Sequence, residues 1–117
     1  MNFKQFYKKS YIIAKKTDGK CAYCGKEDVD QIDHIHPKIK GGTNKNSNLI
    51  CACKRCNVIK NCHDLEVFRD KLFRNLNNIP RFTDNQKKWL STEGFNMPEN
   101  NLIFYFEKMN INIYAEK

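Results

Sequence analysis

Apolar residues recur at helical spacing near the start of the chain. Phe3, Tyr7, Tyr11 and Ala14 lie in register, Phe6 and Ile13 sit beside them, and Lys8, Lys9, Lys15 and Lys16 lie among them. This pattern predicts an amphipathic helix over residues 3–16, stopped by Asp18-Gly19. Residues 30–36 nearly alternate apolar and polar side chains and predict a strand, which Pro37 ends or bends. Gly41-Gly42 and the polar residues after them read as a loop. A second short strand is expected from Asn48 to Cys51, with Leu49 or Ile50 turned inward, and a helix from near Lys54 to beyond Lys60.

Farther along, Leu65, Phe68, Leu72 and Leu76 share one helical face that should pack on the preceding elements, with Pro80 ending the helix. Thr83-x-x-Gln86 forms a capping box for a short helix through Trp89 and Leu90, stopped by Gly94. Leu102 to Phe106 is a dense apolar run whose aromatics favour strand. There is no internal repeat and no low-complexity linker.

A chain of 117 residues makes one domain with a modest core, to which a metal staple would add stability. No segment approaches the roughly 20 apolar residues that span a bilayer, so no membrane partner is expected. The basic, aromatic-rich start lacks the apolar core of a secretory signal. The expected setting is therefore the cytoplasm of a bacterial or phage-infected cell, where cysteines stay reduced. The formal net charge of +8 is unevenly placed. Residues 1–62 hold 13 Lys/Arg against 5 Asp/Glu, whereas residues 63–117 hold 8 of each. A basic half of this kind implies a polyanionic partner such as nucleic acid.

That basic half also carries the chemistry. Cys21-x2-Cys24 and Cys53-x2-Cys56 are separated by 28 residues. Each pair can turn both sulfurs toward one tetrahedral ion, with Gly25 relieving backbone crowding in the first, so the expected metal is a structural zinc. Cys51 reads as a buried strand residue. Cys62 and His63 read as helix positions and remain the alternatives to a ligand of this set. Four thiolates leave no open position, so catalysis must lie elsewhere. Two strands, a loop and a helix folded around a metal make a ββα unit.

Asp33-His34-Ile35-His36-Pro37 lies between the cysteine pairs, and Asn57 follows the second directly. Hydrolysing a phosphodiester needs an activated water and neutralisation of developing charge. His34 has the chemistry of a general base. Asp33 and Asn57 offer hard oxygens suited to Mg²⁺. In a flat strand Asp33 and His34 point to opposite faces, so serving one site requires a twist or bend there.

Taken together, Cys21-x2-Cys24, Asp33-His34-Ile35-x-Pro37, Gly41-Gly42, Asn48-Leu49 and Cys53-x2-Cys56-Asn57-x2-Lys60 resemble the zinc-stapled HNH endonucleases of phage, homing and restriction type. The resemblance covers residues 18–62. It implies an α+β fold built on a small ββα-metal (His-Me finger) unit with a structural zinc site of four cysteines, packed against flanking helices. Residues 1–62 would hold the N-terminal helix and the nuclease unit. Residues 63–117 would form a helical extension packed on it and ending in a short strand, rather than a separate domain.

The resemblance also assigns roles. His34 corresponds to the general base and Asp33 to the metal-binding acid. Asn48 corresponds to the middle asparagine, which braces the loop carrying the base. Asn57 stands where a final histidine is usual, which favours Mg²⁺ or Mn²⁺ in the catalytic site. His36 lies on the His34 face of the strand, and Lys60 lies one helical turn after Asn57; both are candidate phosphate contacts. Lys38, Lys40, Lys45, Lys54 and Arg55 are backbone-contact candidates as a group. The expected activity is metal-dependent cleavage of DNA, leaving a 5′ phosphate and a 3′ hydroxyl, with no small-molecule cofactor. A zinc-knuckle module that binds nucleic acid without cutting it is the alternative. Sequence preference, nicking against double-strand cutting, DNA against RNA, and monomer against homodimer stay open.

Overall fold

The computed structural model describes residues 11–27, 29 and 31–115. Helix α1 covers residues 11–15; the rest of the helix expected over 3–16 lies outside the described residues, apart from Lys16, which begins a turn. Strand β1, Gln31–His34, pairs antiparallel with β2, Leu49–Ala52, in the register Gln31↔Ala52 to His34↔Leu49. Between them run two short 3₁₀ turns, Lys38–Lys40 and Asn46–Asn48. Then come α2 (Lys54–Lys60), α3 (Leu65–Leu76), α4 (Asp84–Thr92) and α5 (Tyr105–Lys108). This is a small α+β fold: a two-stranded sheet with helices, consistent with a ββα-metal unit. Among the described residues no helix is long and apolar enough to cross a membrane.

Local chemistry sets the boundaries. The Cys53 sulfur accepts from the Cys56 backbone N–H at the start of α2. Asp64 caps α3 by accepting from Val67 N. Thr83 and Gln86 form the capping box expected for α4, and Gly94 follows that helix with φ +83°. Each satisfies backbone donors that a helix start leaves without partners.

The core lies where the first cysteine pair, the sheet and α3 meet. Tyr23, between Cys21 and Cys24, is buried edge-on against Phe68 of α3 and against Phe104, while Phe68 and Phe104 stack 5.3 Å apart. All four residues of β2 are buried, because the knuckle and α3 cover one face and Ile13 lies over Leu49 and Cys51 on the other. The strand expected at 102–106 is absent. Residues 102–104 are irregular and α5 follows, because Tyr105 N and Phe106 N bond the carbonyls of Tyr23 and Ala22 singly and no third strand forms. Arg69 holds this segment to α3: it forks onto Glu107 at 2.6 and 2.7 Å, donates to Leu102 O, and covers the Phe104 ring. Charge-assisted bidentate pairs of this kind are among the stronger surface contacts.

Two further expectations change. Leu76 is exposed, since no element among the described residues covers the last turn of α3, and Phe73 is buried in addition to Phe68 and Leu72. Cys62 and His63 lie in the turn after α2, not on a helix, because Asn61 leaves helical geometry with φ +50°.

Replacing Phe68 with alanine removes the ring that meets both Tyr23 and Phe104. It should cost about 3–5 kcal/mol in urea denaturation, whereas Leu76→Ala should cost less than about 1 kcal/mol.

Candidate functional site

Cys21, Cys24, Cys53 and Cys56 place one sulfur each within 4.8 Å of one another. A tetrahedral zinc with sulfurs at ~2.3 Å requires sulfurs about 3.8 Å apart, and Cys24 and Cys53 stand at 3.6 Å. The donor set and its compactness fit a structural metal ion. Cys51, buried in β2, and Cys62, in the turn, lie outside the cluster. With no cation the sulfurs compete for protons. A hydrogen bond with Cys56 pulls the Cys21 thiol down and pushes Cys56 up, and burial pushes Cys24 up. A divalent ion would displace those protons and lock the two pairs together. Arg55 lies beside the cluster, where its charge offsets that of the sulfurs.

The clamp shapes what lies around β1. Tyr23, held between two ligands, donates its hydroxyl to Asp33 Oδ2 at 2.7 Å. Lys60, on the last turn of α2, is wholly buried. Its ammonium stands 3.1 Å from the same oxygen and donates to the His34 carbonyl at 2.8 Å. Burial raises the Asp33 carboxyl above its ordinary range, while the Tyr23 hydroxyl and Lys60 pull it down. Burial, followed by the adjacent carboxylate, raises the Tyr23 phenol well above its usual value. The phosphate contact expected of Lys60 does not fit this placement: its charge is consumed inside the fold.

Asn57, one helical turn before Lys60, donates through Nδ2 to Gln31 Oε1 at 3.1 Å. Gln31 and Asp33 lie two residues apart on one face of β1, so Asn57 and Asp33 share the seam between strand and helix. Among the described residues no hydrogen-bond donor meets Asp33 Oδ1 or Asn57 Oδ1. Two hard oxygens on one seam suit Mg²⁺ or Mn²⁺ with waters completing the shell.

His34 points to the other face, as the pleat requires, at the end of β1. Its Nε2 lies 2.8 Å from Asn44 Oδ1. An amide oxygen only accepts, so this contact puts the imidazole proton on Nε2 and leaves the lone pair on Nδ1. Asn48 braces the intervening loop: its Oδ1 accepts from His36 N, and its Nδ2 donates to the carbonyls of His36 and Thr43. Gly42 packs so tightly here that a Cβ would lie 1.9 Å from His36 O. His36 is exposed and turned onto Lys40 O at 2.9 Å. Lys38, Lys40, Lys45, Lys54 and Arg55 are all exposed.

Three residues of this network carry no signal in the sequence. Asn44 reads as one polar loop residue among several, Gln31 as an ordinary strand position, and Tyr23 as filler between two ligands. Their roles depend on partners brought in from other elements.

A family profile described as HNH endonuclease matches residues 21–66. The CRISPR-associated endonuclease Cas9 of Corynebacterium diphtheriae is 37% identical over 54 residues, which is 43% of this chain and 5% of that protein. The chain thus corresponds to a small fraction of that relative's length. No solved structure matches the chain.

Cys56→Ser should lose bound metal and stability together, read by elemental analysis and thermal unfolding on one sample. A strong chelator should lower the midpoint of the unsubstituted protein in the same direction. Cys62→Ser, outside the cluster, should leave the metal content unchanged.

Proposed function

We propose that the chain, whose residues 21–66 match the HNH endonuclease profile, is a metal-dependent endonuclease hydrolysing phosphodiester bonds in DNA. The observation that carries the reading is the contact of His34 Nε2 with Asn44 Oδ1, which leaves the Nδ1 lone pair as the proton acceptor. The relative named as an endonuclease supports it, as does the basic half of the chain around these residues.

In this reading the structural ion is zinc, held by Cys21, Cys24, Cys53 and Cys56. Asp33 and Asn57 would hold Mg²⁺ or Mn²⁺, which when bound supplies Lewis-acid neutralisation of charge at the phosphate. Nδ1 of His34 takes the proton from the attacking water, and Asn44 stabilises the imidazolium that results. Attack in line at phosphorus breaks the bond to the 3′ oxygen, which takes a proton from solvent water, and leaves a 5′ phosphate. Tyr23 and Lys60 fix the Asp33 carboxylate by occupying Oδ2 and so leave Oδ1 for the metal. Asn48 holds the loop that carries Asn44 and His36. His36, Lys38, Lys40, Lys54 and Arg55 line the exposed surface as contacts to the sugar–phosphate strand. Residues 63–117 act as a helical extension that completes the core.

His34→Ala should abolish nicking of plasmid DNA in Mg²⁺ or Mn²⁺ while the thermal midpoint and the zinc content hold. If the variant cuts as fast as the parent, the base assignment fails. A parent protein that binds plasmid in every metal and never cuts it would be a non-catalytic zinc-knuckle module instead. Cleavage should also fall steeply as salt rises, because most of the binding is to phosphates. Asn44→Ala leaves the base in place without its acceptor, and should lower the cleavage rate by about 10- to 100-fold with little change in DNA binding.

A further inference from the structure

The extension beyond residue 62 has no net charge, yet its cations are not evenly spread. Between α3 and the segment leading into α4 lies an open groove of about 690 Å³. Lys71 and Arg74 line it from α3, and Arg81 and Lys87 from the opposite wall. Two acids, Asp70 and Asp84, share the groove, and Asp70 is committed to Arg74 at 3.1 Å. Among the described residues none of Lys71, Arg81 and Lys87 makes an ion pair. Three cations without acidic partners therefore converge on one concavity. Scattered surface lysines do not converge in this way, and holding like charges together without compensation is unfavourable unless an anion arrives.

Helix α3, which forms one wall of the groove, follows directly on the turn after α2. His63, in the turn between α2 and α3, is depressed by loss of hydration and then by the positive charges of Lys71, Lys40 and Arg81, against the opposing pull of Asp64. Lys40 belongs to the 3₁₀ turn whose carbonyl meets His36. Lys40 beside the braced loop and Lys71 and Arg81 of the groove thus act on one side chain.

We propose that the groove between α3 and α4 is a second nucleic-acid contact, holding the sugar–phosphate backbone of DNA that flanks the bond being cut. This rests on the nuclease reading above. The occupant is a phosphate strand because the lining gathers four cations in one open groove, three of them without an ion-pair partner among the described residues. The groove is open to solvent, and its apolar lining, Val67, Ile79 and Phe82, is interspersed with these cations. The groove adds affinity and register without reading bases, since its unpaired charges are lysine and arginine side chains that suit phosphate oxygens.

The test compares two duplexes, one of about 8 base pairs that reaches only the β1 site and one of about 24 that extends past it. Binding is measured in chelator across a salt series, and cutting in Mg²⁺. For the unsubstituted chain the longer duplex should bind more tightly and with a steeper salt dependence. Lys71→Gln/Arg81→Gln/Lys87→Gln should weaken binding of the longer duplex by about tenfold or more and lower the slope of log K against log salt by about 2–3, at about 0.9 per phosphate contact. Binding and cutting of the short duplex should not change. Lys15→Gln/Lys26→Gln/Lys108→Gln removes the same charge elsewhere and should leave the advantage of the longer duplex intact. Equal losses from both triple variants would reduce the groove to a general charge effect and overturn the proposal. So would an unchanged salt slope in the groove variant while the parent still binds and cuts, and that result leaves the nuclease reading standing. A parent that binds neither duplex overturns both.

Discussion

Lys60 and Asp33 form an ion pair inside the protein, and the arrangement of the site depends on it. Neither charge could be buried alone, since an unpaired ammonium or carboxylate in the interior costs several kcal/mol. Together, with the Tyr23 hydroxyl and the His34 carbonyl as further partners, they form a closed polar knot in an apolar surround. The knot joins the end of α2, the middle of β1 and the first cysteine pair. It therefore fixes how the helix carrying Asn57 lies against the strand carrying Asp33 and His34. The four sulfurs make the knot possible, because Tyr23 sits between two of them and Lys60 stands just over a helical turn beyond the last.

The pleat of β1 divides the site into two faces. Asp33 turns inward, where Tyr23 and Lys60 hold Oδ2. His34 turns outward at the strand end, where the following loop folds back to meet it. That loop is stiff for a connection of its length, because Asn48 makes three side-chain bonds across it and Gly42 allows it to close on the His36 carbonyl. His34 is the last residue of the strand, and the chain turns directly after it.

The helical extension contributes in two ways. Phe68, Leu72 and Phe104 complete the core around Tyr23, and Arg69 pins the last helix by its fork onto Glu107. These contacts support the knuckle from behind, so the sulfur cluster has a stiff base even though Cys24 is itself exposed. On the outside, a segment of zero net charge still gathers unpaired cations into one groove. Net charge is an average over the surface, whereas a field at a ligand depends on which charges share a concavity and which are already paired.

Much of this organisation was written locally. The two Cys-x-x-Cys pairs, the start of α2, the capping box at Thr83 and the buried face of Phe68 and Leu72 follow from spacing, because each depends on neighbours a few residues away. The order of strand, loop, strand and helix was legible for the same reason. Tertiary structure alone decided the rest. Lys60 reads as a surface cation until Asp33 arrives from another element to neutralise it. Leu76 reads as core, but no element among the described residues covers it. Leu102 to Phe106 reads as strand, yet only isolated bonds to the first knuckle are open to it. Asn44 acquires a partner only when the loop closes on His34. Periodicity states which face of an element is apolar, and spacing states which ligands can meet. Whether a distant group comes to cover a residue, pair with it or leave it to water is settled only when the chain has packed.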